Sequence, residues 1–367
     1  MQPACQRSSR ISNRKRSVRL GYSPDDADAF VLTFAQPVAA GSGYGYGGPL
    51  GRPRAGAGRL RCVEAVANGR SVPLAYFVAL VIEGALTGTV YVLIALSFVL
   101  VYRASSMMNF ALGEWVVFAG LMMGLGLQAL DLGAAAALAF AGLAMVGLAG
   151  GFYHLVMRRL VARPALSAIM ATLGLGMVMR GSGLLFVRNN PGLLPPSFAT
   201  GQVEIGGLPI GVDRLLAAAA AALCTLAVGG FYRFSRAGVA LRAVADDPQA
   251  AMASGIDVDR QLLLAWALAG LVAAVAGVLW TMITGGGFSV ALIGLKLFPI
   301  VILGGLDSIA GTVVAAIAIG VLESLGGGYF DESFGSGFGG IAPYIVLLAV
   351  LLLRPQGVFG RPPAKRV

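Results

Sequence analysis

The first long apolar run of this chain reads PLAYFVALVIEGALTGTVYVLIALSFVLV and occupies residues 73–101. Its only charged side chain is that of Glu83. About 20 apolar residues in an α-helix suffice to cross the ~30 Å hydrocarbon core of a bilayer. The run is longer than this and ends at Tyr102-Arg103, a residue pair typical of a membrane interface. It therefore predicts a transmembrane helix.

Further apolar runs follow, so we predict an all-α, polytopic transmembrane helix bundle of about eight membrane segments. The runs are 107–130, 132–157, 166–187, 215–232, 261–283, 297–303, 309–325 and 341–353. The run 297–303 is too short to cross alone, and Gly304-Gly305-Leu306-Asp307-Ser308 follows it. This broken segment makes either a re-entrant hairpin beside seven crossings or two tilted helices in a set of nine.

Composition supports a membrane protein. The 367 residues are 57% apolar and 12% charged, with a mean hydropathy of +0.81, whereas soluble domains are roughly a quarter charged. Of the net charge of +10, residues 1–72 hold +7, from 11 basic and 4 acidic residues. The basic character therefore indicates no nucleic-acid partner, and we expect lipid to surround the rest of the chain.

Residues 1–72 form a basic extension that is rich in Ser, Gly, Pro and Arg. No apolar stretch follows its basic run, which argues against a secretory signal peptide. Its low apolar content predicts disorder. A translation start placed too far upstream is the interpretation we favour, with the functional chain beginning near residues 71–74. The alternatives are a disordered extension and a regulatory or targeting arm.

Arginine and lysine residues in three places predict the orientation, because short cytoplasmic loops are enriched in positive charge. The residues are Arg158, Arg159 and Arg163; Arg233, Arg236 and Arg242; and Arg354, Arg361, Lys365 and Arg366. We expect all three sites, including a tail at 361–367, to be cytoplasmic. The transmembrane domain is then 73–360, with its first helix beginning outside. Export of a +7 extension conflicts with the same rule, which favours the misplaced start.

The longest predicted cytoplasmic connection, residues 233–260, is organised. Asp247 followed by Pro248 is typical of a helix N-cap and first position, and Gly255 suits the residue just past a helix end. A short helix with a small, Ala-rich surface that includes Ala251 is therefore predicted. It is either a knob that docks on another protein or an ordinary surface helix.

This segment resembles the coupling segment of branched-chain amino-acid ABC-transporter permeases of the LivH/LivM type, and the spacing is closer to the LivH-like half. The matching motifs are, in order, 84–100, Asn109-Phe110-Ala111 with Gly113-Glu114, Ala171-Thr172-Leu173-Gly174, Arg242-Ala243-Val244-Ala245, Asp247-Pro248, Gly255-Ile256-Asp257-Val258-Asp259-Arg260, Gly304-Gly305 with Ser308-Ile309 and Gly311, and 354–360. The family usually has His where Leu112 stands and often Gly where Asp307 stands. Residues 1–72 match nothing in it.

The resemblance implies the permease subunit of an ATP-driven importer for branched-chain or other hydrophobic amino acids in the bacterial inner membrane. Implied partners are a second, LivM-like permease subunit or a second copy, two cytoplasmic ATPase subunits and a periplasmic amino-acid-binding protein. The sequence has no phosphate-binding loop, no zinc-protease motif and no nucleophile elbow. We therefore expect no catalytic residue, cofactor or metal on this chain, with ATP on the partner. Alternatives are import of urea, short amides or another small polar solute, and a non-transporting scaffold.

Two groups of residues are the functional candidates. The predicted ATPase-coupling residues are Arg242, Asp247, Pro248, Ala251 and Gly255. The predicted pathway or gating residues are Asn109, Glu114, Asp307 and Ser308, since polar groups within membrane segments are costly and often functional. Asn109 and Glu114 lie near the predicted cytoplasmic end of their run, where Asn109 can alternatively cap the helix. Lys296 is interpreted as an interfacial anchor, while Arg180, Glu83 and Glu323 have no assigned partner.

Overall fold

The computed structural model describes residues 72–160, 163–189, 201–205, 208–284, 293–334 and 337–354. The predicted basic extension, apart from residue 72, and the tail 361–367 lie outside these residues. The elements are α1 Val72–Ser105, α2 Leu112–Gln128, α3 Ala134–Phe152 with its continuation through a π-helical turn Tyr153–Met157 to Arg158–Leu160, α4 Ala165–Asn189, β1 Gln202–Ile205, β2 Leu208–Gly211, α5 Val212–Phe234, α6 Arg236–Asp246, α7 Pro248–Ala253, α8 Val258–Thr284, α9 Ile293–Gly304, α10 Ile309–Phe334 and α11 Phe338–Leu353.

Six helices in the described part of the chain are long and apolar enough to span a membrane: α1, α3, α4, α5, α8 and α10. Helices α2, α9 and α11 are apolar but shorter. The prediction of an all-α polytopic membrane bundle is confirmed. The number of crossings stays a prediction. Helix α9 has 12 residues and is only about 18 Å long, which is less than the ~30 Å hydrocarbon core of a bilayer.

Helices α1 and α8 form the centre of the bundle, where most of their residues are buried. Most residues of α3, α4 and α5 are not buried. Large apolar side chains such as Met177 on α4 and Leu226 on α5 point outward. An apolar exterior of this kind suits contact with lipid.

Close contact between α1 and α10 depends on glycine. A Cβ on Gly84 would lie 2.6 Å from the carbonyl oxygen of Gly320, and one on Gly88 would lie 2.8 Å from Cα of Ile317. Small residues four apart let membrane helices approach closely where lipid supplies no hydrophobic drive. By contrast, a Cβ on Gly147 of α3 would point into open space, so close helix packing does not require this glycine.

A feature absent from the prediction is the antiparallel β1–β2 ribbon between α4 and α5, in which Val203 pairs with Ile210. The sequence between the strands is Gly206-Gly207. Such a dipeptide between two β-prone runs favours a tight hairpin. Since the basic residues 158–163 before α4 and 233–242 after α5 are predicted to be cytoplasmic, the ribbon between these two helices is expected on the outer side.

Candidate functional site

The predicted short helix of the coupling segment is confirmed as α7. One carboxylate oxygen of Asp247 accepts hydrogen bonds from the backbone N–H groups of Gln249, at 2.8 Å, and Ala250, at 3.1 Å. Pro248 occupies the first turn, where its missing N–H costs nothing. The helix therefore begins where the sequence predicts.

The end of α7 is also the predicted one. Gly255 has a φ of 79°, a left-handed conformation that glycine adopts without steric cost. Its N–H donates to the carbonyl of Met252, and the N–H of Ile256 donates to the carbonyl of Ala251, each at 3.0 Å. This pair of bonds is the Schellman motif. Gly255 thus fixes the direction in which the chain leaves α7 toward α8.

A second helix of the segment, α6, was not predicted. The hydroxyl of Ser235 caps it by accepting a hydrogen bond from the Gly238 N–H at 2.8 Å. A Cβ on Gly238 would lie 2.7 Å from Cα of Tyr232, so the turn from α5 into α6 requires glycine. Leu241 and Val244 bury the inner face of α6. The sequence offered two signals for α6. They are the Ser-x-x-Gly start and the apolar residues Leu241 and Val244, which lie three positions apart.

The exposed face of α7 differs from the predicted one. Ala251 is only 4% exposed and packs inward, whereas Met252 is 56% exposed. Phe234 and Val239 are further large apolar side chains exposed on the coupling segment. Arg242 does not extend freely, because its Nη2 donates to the carbonyl of Arg233 at 3.5 Å. Ala251 and Arg242 therefore shape the segment from within, and Met252 is the candidate contact residue that sequence reasoning missed.

The coupling segment is tied to the bundle at the start of α8. Asp257 caps α8 through the N–H of Arg260 at 3.2 Å. Asp259 accepts a hydrogen bond from the hydroxyl of Tyr153 at 2.8 Å and pairs with Nε of Arg158 at 3.1 Å. Tyr153 begins the π-helical turn of α3, a rare conformation that is frequent at functional sites.

The second candidate region, at the start of α2, lies deeper in the bundle than predicted. The N–H of Phe110 donates to the hydroxyl of Thr172 at 3.3 Å, and Glu114 meets Arg180. At ~1.5 Å per residue, Thr172 lies about 10 Å and Arg180 about 22 Å from the N-terminal end of α4. Helix α2 therefore begins beside the middle of α4. A first turn placed at this depth is tolerated where it is packed in protein or borders a cavity.

Asn109 is buried, with 2% of its surface exposed, but it is not the N-cap of α2. Its Oδ1 accepts from the N–H of Ala111 at 3.0 Å, and Ala111 occupies the cap position without a side-chain cap bond. Asn109 therefore caps the turn that leads into α2 and not α2 itself. Among the described residues, nothing accepts a hydrogen bond from Asn109 Nδ2. The neighbouring Leu112 is fully buried.

Glu114 forms an ion pair with Arg180, whose Nη2 lies 2.6 Å from Oε1 of Glu114. The glutamate side chain is 14% exposed and the arginine side chain 53%. A small, open cleft adjoins the pair. The other residues that line this cleft are Val117, Phe118, Leu121, Met179 and Gly183.

The broken segment is not brought to this cleft. Gly294, in the first turn of α9, packs against Gly113 of α2. A Cβ on Gly294 would lie 3.0 Å from Cα of Gly113. Asp307 and Ser308 follow the other end of α9, which is about 18 Å long. Ser308 caps α10 through the N–H of Gly311 at 3.0 Å, and Asp307 is exposed.

Ionisable residues that sequence reasoning left unassigned have partners in the structure. Glu83 pairs with Arg214, and Lys296 pairs with Glu323. Tyr91 donates to the other oxygen of Glu323 at 2.9 Å. Lys296, interpreted from sequence as an interfacial anchor, thus has a carboxylate partner within the protein. Within the described ranges no cluster of His, Cys, Asp and Glu side chains could hold a metal ion.

Residues 80–353 match the family described as branched-chain amino acid transport system, permease component. The chain belongs to this family. The permease is similar to the high-affinity branched-chain amino acid transport system permease proteins LivH of Escherichia coli K12 and BraD of Pseudomonas aeruginosa, with identities of 29% and 28%. Both matches cover 80% of this permease and 98% of the relative.

A further relative comes from another organism. The probable branched-chain amino acid transport permease protein LivH of Methanocaldococcus jannaschii is 29% identical, over 77% of the permease and 92% of the relative. No solved structure matches the chain.

Proposed function

We propose that this permease is the membrane-spanning subunit of an ATP-driven importer that carries branched-chain or other hydrophobic amino acids across the bacterial inner membrane. The names of its relatives support the substrate class. Urea and short amides stay the alternative substrates. The chain itself binds no nucleotide in this proposal, because its sequence has no phosphate-binding loop.

The observation that carries the proposal is the construction of the coupling segment. A six-residue helix is capped at both ends, packs inward through Ala251 and presents Met252 outward. A short rigid helix of this kind can enter a groove on a partner protein. We assign that partner as an ATPase subunit, one for each of two permease subunits.

The orientation follows from positive charge. Arg158 and Arg159 end α3, Arg233 lies at the end of α5, and Arg354 follows α11. Basic residues gathered at membrane-segment ends favour the cytoplasmic side. The coupling segment and the C-terminus are therefore cytoplasmic in this proposal. The opposite face receives substrate from a periplasmic amino-acid-binding protein, and a LivM-like subunit or a second copy completes the permease core.

Transport then follows from movement of the coupling segment. Closure of the ATPases displaces α7, and the Schellman turn at Gly255 passes the displacement to α8. The contact of Asp259 with Tyr153 carries it to α3. Glu114 and Asn109 lie beside the pathway that this motion opens and closes, whereas Asp307 and Ser308 act from the turn between α9 and α10.

The test is uptake of radiolabelled leucine by proteoliposomes that contain the permease with its partner subunits and binding protein. We expect uptake to require ATP and to cease with an ATPase subunit that lacks its phosphate-loop lysine. Urea serves as the competing substrate. Uptake that needs no ATPase, or uptake of urea without leucine, would contradict the proposal. Failure of the permease to copurify with an ATPase would favour the scaffold.

A further inference from the structure

We infer that Glu114 and Arg180, with the cleft beside them, form a transient site for the two charges and the apolar side chain of the transported amino acid. The inference rests on the proposed function and assigns a substrate-binding role to a pair that sequence analysis did not connect. It has three parts, which concern where the pair lies, what lines the cleft and how a zwitterion fits.

The first part is the position of Arg180. Its side chain is 53% exposed, yet it lies within a candidate membrane span, Leu166–Leu185. Arg180 lies five residues from the end of this span. A guanidinium that faces hydrocarbon is costly, so such residues face a bundle interior or a water-filled cavity, or reach toward the interface. The exposed side of the pair is therefore turned toward polar space. This face of α4 borders the transport pathway.

The second part is the lining of the cleft. Apart from the ion pair, the cleft is lined by Gly183 and by the apolar side chains of Val117, Phe118, Leu121 and Met179. Small-molecule sites combine a largely apolar lining with a few polar groups that fix orientation. One carboxylate and one guanidinium beside an aliphatic and aromatic wall match a leucine-like molecule, which carries one ammonium, one carboxylate and a branched hydrocarbon.

The third part is charge balance. A zwitterion can insert between the partners, with its ammonium on Glu114 and its carboxylate on Arg180, so that the largely buried Glu114 and the half-exposed Arg180 each keep an opposite charge. Guanidinium–carboxylate pairs are strong and directional. No charge is left unpaired when the substrate enters or leaves, which avoids the large cost of breaking such a pair by removing one partner.

The start of α2, which has no side-chain cap, lies near this pair. A Cβ on Gly176 of α4 would lie 3.4 Å from Oε2 of Glu114 and 3.5 Å from Cα of Ala111. Glu114 and Ala111 therefore both lie beside Gly176. The helix carries no side-chain cap at Ala111. Nδ2 of Asn109, a side chain that is almost wholly buried, has no partner in the described part of the chain. A helix N-terminus favours negative charge, which suits an approaching carboxylate.

The experiment measures binding of tritiated leucine to the assembled permease–ATPase complex in nanodiscs, without the binding protein. Glu114→Gln and Arg180→Gln each remove one charge. Asp131→Asn and Arg163→Gln are the matched controls, because both residues are exposed and lie outside the cleft. The charge swap Glu114→Arg with Arg180→Glu keeps an ion pair but reverses its polarity. Competitors are 3-methylbutylamine, which lacks the carboxylate, and 4-methylpentanoate, which lacks the ammonium.

We expect saturable binding that each single substitution weakens at least tenfold, while the controls leave it unchanged. Each competitor should bind at least tenfold more weakly than leucine. The charge swap should restore a folded, monodisperse complex but not leucine binding, whereas a purely structural pair would recover both. Wild-type binding that is absent, or unchanged in the single variants, overturns the site.

The same preparations, supplied with the binding protein, report leucine uptake, and this separates the two proposals. Uptake by the wild type without saturable binding to the complex removes the site and leaves the proposed function standing. Absence of ATP-dependent leucine uptake by the wild type removes the proposed function itself.

Discussion

The hydroxyl of Tyr153 donates a hydrogen bond of 2.8 Å to the carboxylate of Asp259. The bond joins the π-helical turn of α3 to the first turn of α8, six residues after α7 ends. Arg158 pairs with the other carboxylate oxygen at 3.1 Å. These two contacts therefore connect the segment that follows α7 directly to α3.

Tyr153→Phe tests this link, because the substitution removes the hydroxyl and leaves the ring packed. If the bond contributes ~1 kcal/mol of coupling free energy, leucine transported per ATP hydrolysed should fall about fivefold. Tyr329→Phe, on α10, is the matched control. The ratio is measured in proteoliposomes from initial rates of uptake and phosphate release. An unchanged ratio would show that the hydroxyl does not take part in coupling.

Met252 should be the contact residue of α7. Its side chain is 56% exposed, so Met252→Gln removes apolar contact area without disturbing the fold. The few residues that dominate an interface each contribute more than about 1 kcal/mol, so if Met252 is one of them, binding of the ATPase subunit should weaken about tenfold. Met252→Leu, which keeps the apolar volume, should bind as the wild type does. Biolayer interferometry with the purified ATPase measures both, and equal binding by the Gln variant would place the contact elsewhere.

Local sequence signals predicted the parts of the fold that depend on neighbouring residues. Periodic apolar runs gave the spans, and Asp247, Pro248 and Gly255 gave both ends of α7, since caps act within a few residues. Helix α6 was missed because its start carries no Asp-Pro pair of the kind that marks α7, only the weaker cap signal of Ser235. Ala251 was misplaced, since a small residue on a two-turn helix carries no sign of which face is buried.

Ion pairs were not predictable in the same way. Glu114 and Arg180 are 66 residues apart, and Glu83 and Arg214 are 131 apart. Their meeting depends on how the helices are arranged, which no local pattern encodes. The only advance sign was the cost of an ionisable side chain within a span, which requires some partner without naming it.

Gly84 should tolerate no side chain. A Cβ there would lie 2.6 Å from backbone atoms of Gly320 and Val321, and backbone cannot move aside as a flexible side chain can. We expect Gly84→Ala to destabilise the bundle by about 1–3 kcal/mol, the usual cost of overpacking. Gly147→Ala, which faces open space, is the control for helix propensity. Thermal unfolding followed by size-exclusion chromatography compares them, and equal melting temperatures would contradict the close contact.

Glu323 holds together the partly buried group formed by Lys296 and Tyr91. Its two carboxylate oxygens bind the Lys296 ammonium and the Tyr91 hydroxyl, the latter at 2.9 Å. Glu323→Gln leaves the ammonium without its counter-charge in an apolar bundle, and removal of one partner of a buried pair costs about 3 kcal/mol. The double variant Glu323→Gln with Lys296→Gln has no unpaired charge and should be more stable than Glu323→Gln alone. Thermal unfolding of the wild type, both single variants and the double variant completes a thermodynamic cycle. Additive effects would mean that the two charges do not interact, because a real pair makes the second substitution less costly once the first is in place.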